Sequence, residues 1–331
     1  DAPRARSVDL TQTTSAGLVD LLAHDNAWYR RHARRILSER RDPSVIPWLH
    51  KLIAGREEQM ALESLWALYV SGGWNDRVAL ALLNHPSADV RTWNVRLLGD
   101  DCRELADDVV RKLVQLAASD PSPSVRSQLA CTAKRLPAAQ GLAIVAALMR
   151  RTEDAGDLHL PLLLWWAIED KATSDRQAVL DLFADSDTWR LPIVRDVLVE
   201  RVARRYLAEK NDFGYAACAR LLALAPTDDD RLRLVAAMEA DFSGRPLDMV
   251  PGPLAGALES LSQQHRADAT LTRFALKLGS QPAYRRAVER MSDPREAEAV
   301  RLAMISAVGR AARADTLPKL LALLDEQPQD V

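Results

Sequence analysis

The sequence predicts an all-α chain of stacked helix pairs, on three observations: a recurring phrase, a 3.6-residue apolar period inside it, and a composition poor in sheet formers. Aromatic residues make up 5% of the 331, and glycine (13) and proline (17) are sparse, while alanine, leucine, arginine and aspartate dominate. Such a chain favours long helices over the β-branched and aromatic strands of a sheet-rich enzyme.

The phrase is a polar or Asp/Pro turn, a β-branched or aromatic residue, then arginine opening an apolar helix. It occurs at His24–Leu37 (HDNAWYRRHARRIL), His85–Leu98 (HPSADVRTWNVRLL), Asp120–Leu136 (DPSPSVRSQLACTAKRL) and Asp293–Gly309 (DPREAEAVRLAMISAVG). The arginines Arg30, Arg91, Arg126 and Arg301 serve as a ruler. Arg91 to Arg126 is one step of 35 residues, and Arg30 to Arg91 is two shorter ones, with Met60–Tyr69 between them as a degenerate copy. Asp or Ser before each helix can take up the unpaired N–H groups of its first turn, and proline suits the first helical position. Val300, Ala303, Met304, Ala307 and Val308 form one stripe, as do Val125, Leu129, Thr132, Ala133 and Leu136.

A second, shorter helix is expected after each: Asp42–Ile53, Gly141–Met149 and Asp315–Leu324, the last with Leu317, Leu320, Leu321 and Leu324 on its inner face. The middle alternates less regularly, through Leu160–Glu169, Thr173–Ala184, Leu191–Tyr206, Gly214–Ala225, Asp229–Asp241 and Leu254–His265. Ser243–Pro253 (SGRPLDMVPGP) reads as an inserted loop. A helix pair every 30 to 37 residues, each borrowing its core from the next, is a HEAT-type α-α superhelix, a solenoid of about eight pairs whose second helices are expected to line the concave face. The expected organisation is an N-terminal extension over residues 1–17 and a single solenoid over 18–331, irregular across 154–253.

The phrases LVDLLAHDNAWYRRHARRILSERRDPSVIPWLHKLI, ALESLWALYVSGG, HPSADVRTWNVRLLGD, SVRSQLACTAKRLP and LPLLLWWAIE together resemble the HEAT block of PVC-type haem-binding proteins, over Leu18–Glu169. In that family a dehydrogenase-like propeller precedes the block and a c-type cytochrome domain follows it. The resemblance implies an exported, periplasmic setting and a spacer or docking role. It implies no haem here, because no C-x-x-C-H is present: Cys102 precedes Arg103, Cys131 precedes Thr132 and Cys218 precedes Ala219.

No transmembrane run and no targeting segment is read in the chain, and the three cysteines make no disulfide framework. The six histidines have no metal-ligand spacing; His24 and His85 stand at matching places before repeat helices and are expected to cap turns. There is no G-x-S-x-G, phosphate loop or dinucleotide fingerprint, and paired carboxylates such as Asp107–Asp108 fall at helix starts. The expectation is therefore a non-enzyme without cofactor or metal.

Two features stand out as contact candidates. Arg30, Arg31, Arg34 and Arg35 make the densest positive patch, read in three ways: a solvated, ion-paired face, a contact for an acidic protein partner, or a nucleic-acid contact as in HEAT-fold alkylbase DNA glycosylases. The interspersed acids and a net charge of −2 weigh against nucleic acid. All eight tryptophans lie in the first 189 residues. Trp28, Trp66 and Trp93 are expected to pack between repeats, whereas Trp74, in the loop SGGWND, is the candidate contact residue. The expected partner is a protein or a neighbouring domain of the same parent chain; oligomeric state has no signature in the sequence.

Overall fold

The computed structural model describes residues 8–55, 58–243, 246–311 and 316–323. Among these, every regular element is helical: nineteen α-helices joined by single 3₁₀ or π turns, and no strand. Each packs on its neighbours in the chain, as in an α-solenoid. The chain falls into two compact units, Asp1–Ala167 and Ile168–Val331, and α10 (Leu160–Lys171) runs through the division.

In the first unit, α2 (Ala27–Arg40), α4 (Glu58–Val70), α6 (Ala88–Asp100) and α8 (Pro123–Arg135) form one layer, each touching the next. Helices α3 (Ile46–Ile53), α5 (Asp76–Leu82), α7 (Asp107–Ser119) and α9 (Ala138–Met149) pack beside them. Helix α1 (Ser15–Asp20) closes this unit's start; Leu10 is buried, and Arg40 donates to the Thr11 and Thr13 carbonyls, so residues 8–17 pack on α2. The second unit holds α11 (Arg176–Asp181), α12 (Val199–Leu207), α13 (Asp212–Leu224), α14 (Asp228–Asp241), α15 (Gly252–Gln264), α16 (Ala269–Lys277), α17 (Gln281–Ser292), α18 (Glu298–Ala311) and α19 (Leu317–Ala322). The expected helix over 191–206 carries a π turn, Val194–Leu198, near its start. The expected loop over 243–253 is non-helical from Leu247 to Val250, where the Leu247 N–H donates to the Lys277 carbonyl (2.8 Å). Gly279, at φ +92°, lets that loop pass; a Cβ there would meet Met249 N at 2.6 Å.

The ruler fixes burial. Buried side chains fall three, four, six and seven residues after it: Asn94, Val95, Leu97 and Leu98 after Arg91, and Leu129, Ala130, Thr132 and Ala133 after Arg126. The same set, Ser64, Leu65, Ala67 and Leu68, follows Ala61, which divides the step from Arg30 to Arg91 into 31 and 30 residues. Leu234, Val235, Ala237 and Met238 follow Arg231, and Met304, Ala307 and Val308 follow Arg301. Between them the pattern continues at 35-residue steps without arginine: Leu164, Ala167 and Ile168 after Pro161, then Val199, Val202 and Ala203 after Asp196. The less regular middle thus keeps burial at three, six and seven residues while its arginine marker is replaced.

Hydrogen bonding obeys the same one-dimensional logic. Side-chain bonds described between helix pairs span 15 residues from Asn94 to the Ala79 carbonyl, 27 from Arg40 to Thr13 and up to 38 from Lys277 to the Glu239 carbonyl. A globular domain closes contacts over many sequence distances; a stack closes them only onto the adjacent copy.

Candidate functional site

The helix-opening arginines come first, because they set what is left for a partner. Arg91 donates to the His85 and Pro86 carbonyls (2.8 and 3.0 Å) and, at 2.8 and 2.9 Å, to both carboxylate oxygens of Asp120 in the next loop. The Asp120 carbonyl in turn accepts from Arg126 (2.9 Å), whose guanidinium grips Asp154 at 2.6 and 2.5 Å. Arg30 repeats the carbonyl clamp on His24 and Asp25 (2.7 and 2.9 Å), but the following copy has Ala61 in place of the ruler, and Arg30 meets Glu63 instead (3.0 Å). The turns are built alike. Asp120 Oδ1 accepts from the Ser122 N–H, and at the matching places His24 Nδ1 accepts from Asn26 N–H and His85 Nδ1 from Ser87 N–H. With Nδ1 accepting, His85 Nε2 carries the proton and donates to the Ile53 carbonyl (2.9 Å).

Of the four patch arginines, two are thus consumed. Arg34 also bonds Glu63, whose side chain is 5% exposed between the two arginines. Burial lowers the Arg34 pKa; Glu63 opposes this, and Arg30 and Arg31 add to it. Arg35 makes only an exposed pair with Glu39 (3.7 Å), and Arg31 is exposed with no ion-pair partner among the described residues.

The tryptophans then join these cations into a row across α2, α4, α6 and α8. The Arg34 guanidinium lies 4.8 Å from the Trp66 ring centre, Trp66 meets Trp93 edge-on at 4.8 Å, and Arg96 lies 4.8 Å over Trp93. Such stacked guanidiniums are held by the ring quadrupole while their in-plane N–H donors stay free. Cys131 on α8 follows, half-buried within the fields of Arg135 and Arg96, and Arg135 pairs with Asp100 (2.6 Å). Trp66 and Trp93 pack between helices as expected. Trp28 does not: it is 42% exposed and stacks on His32 of its own helix (4.1 Å).

Trp74 lies apart from this row. Its Nε1 donates to Asn94 Oδ1 (3.1 Å) and its ring meets Tyr69 edge-on at 5.5 Å, so half of it belongs to the core. Its free edge lines an open cleft with Asp76, Arg77 and Arg103, where Arg103 pairs with Asp76. The structure therefore brings Arg34, of the four, together with Trp66, and Arg96 with Trp93, and leaves Trp74 at a second place on the same unit. Sequence reasoning passed over Arg96. Its signal was available in the spacing, since Arg96, Trp66, Arg35 and Cys131 all stand five residues after their rulers.

In the second unit, a cavity of about 330 Å³ lies between the Met249 loop, α15 and α17, lined by Glu259, Ser262, Ser280 and Arg286 among apolar neighbours. Among the described residues no three His, Cys, Asp or Glu side chains converge as metal ligands, and no helix is long and apolar enough to cross a membrane. No family model matches the chain, and no curated protein matches it.

Proposed function

We propose that the chain is a non-enzymatic HEAT-type repeat scaffold of about eight helix pairs that holds a partner protein or a neighbouring domain of its parent chain. One observation carries the reading: the side-chain bonds described between copies run to about one repeat length, 38 residues at most, which is how a repeat protein spends its chain on extended surface. The resemblance of Leu18–Glu169 supplies the setting, a spacer between a dehydrogenase-like propeller and a c-type cytochrome domain in the periplasm. The partner-facing surface on this reading is the cation–tryptophan row of α2, α4 and α6.

The flanks of the parent gene test the setting. A strand-repeat domain upstream and a C-x-x-C-H downstream are expected, and each, added in trans to this chain, should give a saturable complex by calorimetry. Flanks lacking both end the electron-transfer setting; flanking domains that are present and do not bind end the docking role.

The second reading, a nucleic-acid binder or alkylbase DNA glycosylase, draws on the same row. Glu63 already pairs with Arg30 and Arg34 and offsets half of their charge, and arginines already lie over faces of Trp66 and Trp93 on which bases would stack. Salt-sensitive gel shifts of duplex DNA at micromolar protein would restore it.

A further inference from the structure

We propose that the row on the first unit is a docking strip for an extended acidic peptide segment, which deepens the scaffold reading and rests on it. The strip is continuous. Arg31 and Arg34 share one stripe of α2, Arg34 covers Trp66, Trp66 meets Trp93, and Trp93 carries Arg96.

Its charge is sorted. Arg34 is paired internally through Glu63, whereas Arg31 and Arg96 are exposed and have no carboxylate partner among the described residues. Arg96 lies over an indole, which restrains its side chain, and an exposed guanidinium is the fork that takes a carboxylate in two parallel hydrogen bonds. A carboxylate arriving there meets a guanidinium that has little entropy left to lose. Trp28, exposed one turn before Arg31, adds an apolar anchor at the strip's end.

The dimensions set the spacing of the partner's acids. Packed helices lie about 8–10 Å apart, so α2 to α6 is about 18 Å. An extended chain advances about 3.3 Å per residue, which places two acidic residues about five positions apart opposite Arg31 and Arg96. A helix would need about twelve residues for the same span.

The experiment uses the whole chain and a fluorescein-labelled ten-residue peptide of alternating Glu-Glu and Ser-Gly, read by anisotropy at low and physiological salt. Binding is expected to saturate, to weaken with salt, and to fall about tenfold or more in Arg31→Glu and in Arg96→Glu, as reversal of an interface charge does. Both side chains are exposed and without a carboxylate partner, so the helical circular dichroism should not move, and the thermal midpoint should fall only slightly in Arg96→Glu, which gives up its contact with Trp93. Arg190→Glu, 82% exposed on the second unit, should change affinity less than about twofold if binding is local.

The strip is overturned if the same peptide with Gln for Glu binds equally, if Arg190→Glu loses as much as Arg96→Glu, or if no binding occurs. It is overturned in favour of nucleic acid if a ten-nucleotide single strand binds more tightly than the peptide. Flanking domains that still bind while the peptide does not would leave the scaffold reading standing and remove the strip alone.

Discussion

Two ladders of ion pairs cross between neighbouring helix pairs, and the two units use them in opposite measure. In the first unit the buried ladder lies at the loop end, where Arg91 reaches Asp120 and Arg126 reaches Asp154, with every side chain at most 11% exposed. Its companion near the helix C-termini is loose: Arg135 and Asp100 are 39% and 35% exposed. In the second unit the loop-end pairs described, Arg231–Asp228 and His265–Asp228, are looser, with side chains 28% to 42% exposed. Arg231 keeps the carbonyl clamp on Ala225 but takes Asp228 of its own first turn, and Arg301 donates to the Met291 carbonyl. There the C-terminal ladder closes up, with Glu239 between Arg273 and Lys277 at 13% exposure and Glu209 bonded to Arg176 at 8%. Helix-pair stacking therefore demands some fixed rung per copy but does not dictate at which end it lies.

The largest effect expected from this contrast is at Arg126. Replacing it by alanine leaves the Asp154 carboxylate, 4% exposed, without its counter-charge, and such removals cost about 3–5 kcal/mol. Arg231→Ala removes a pair that is 31% and 42% exposed and should cost about 1 kcal/mol or less beyond the lost clamp. Urea unfolding followed by circular dichroism separates them. Equal losses would break the claim that the first unit's rungs sit at the loops. Replacing the Arg126–Asp154 pair together with methionine and leucine should recover most of the loss, because no charge is then left buried.

Much of this is legible in the sequence, and the residues say why. The ruler phrase combines a capping turn with an arginine whose partners are its own loop carbonyls, so its chemistry is local and leaves a short, recurrent string, as at His85–Leu98. The acceptor in the next copy is not local. It stands 33 residues on as Glu63, 29 as Asp120 and 28 as Asp154, and in MALESLWALY the glutamate reads as one more solvated helix residue. The middle lost its marker altogether, because Pro161 and Asp196 occupy ruler positions while burial continues around them. Trp28 was misread for a related reason: apolar periodicity tells which face of a helix is sticky, not whether another helix lies beside it.

Acid should sharpen the comparison from the second unit's side. Burial raises the Glu239 pKa, but hydrogen bonds and charge from Arg273 and Lys277 outweigh it and hold the carboxyl below its ordinary 4.5. A depressed folded-state pKa contributes stability that is complete above the unfolded value and is lost as pH falls through the folded one. Stability should therefore decline below about pH 4.5, and Glu239→Gln should flatten that part of the acid limb while lowering stability at neutral pH. An unchanged acid limb in the variant would place the titrating rung elsewhere.

The smallest effect concerns thiols, which report the two units with little perturbation. Burial raises the Cys131 pKa, with Arg135 and Arg96 opposing it, and the residue remains half-buried beside the strip. Cys218 lies in the core of the second unit, its Sγ 3.6 Å from the Ala203 carbonyl, and burial, with Glu209 adding to it, pushes its thiol up to about 12. A thiolate is the reacting species, so reactivity follows both exposure and ionisation. With a chromogenic disulfide at pH 8, exposed Cys102 should react first, Cys131 more slowly, and Cys218 only when the second unit opens. The order alone tests burial; the urea dependence tests the ladders. If Arg126→Ala accelerates Cys131 and leaves Cys218 unchanged, the loop-end rungs act on their own unit, as one-dimensional stacking requires. If both thiols accelerate together, the rungs belong to one cooperative core, and the division of labour between the two ladders fails.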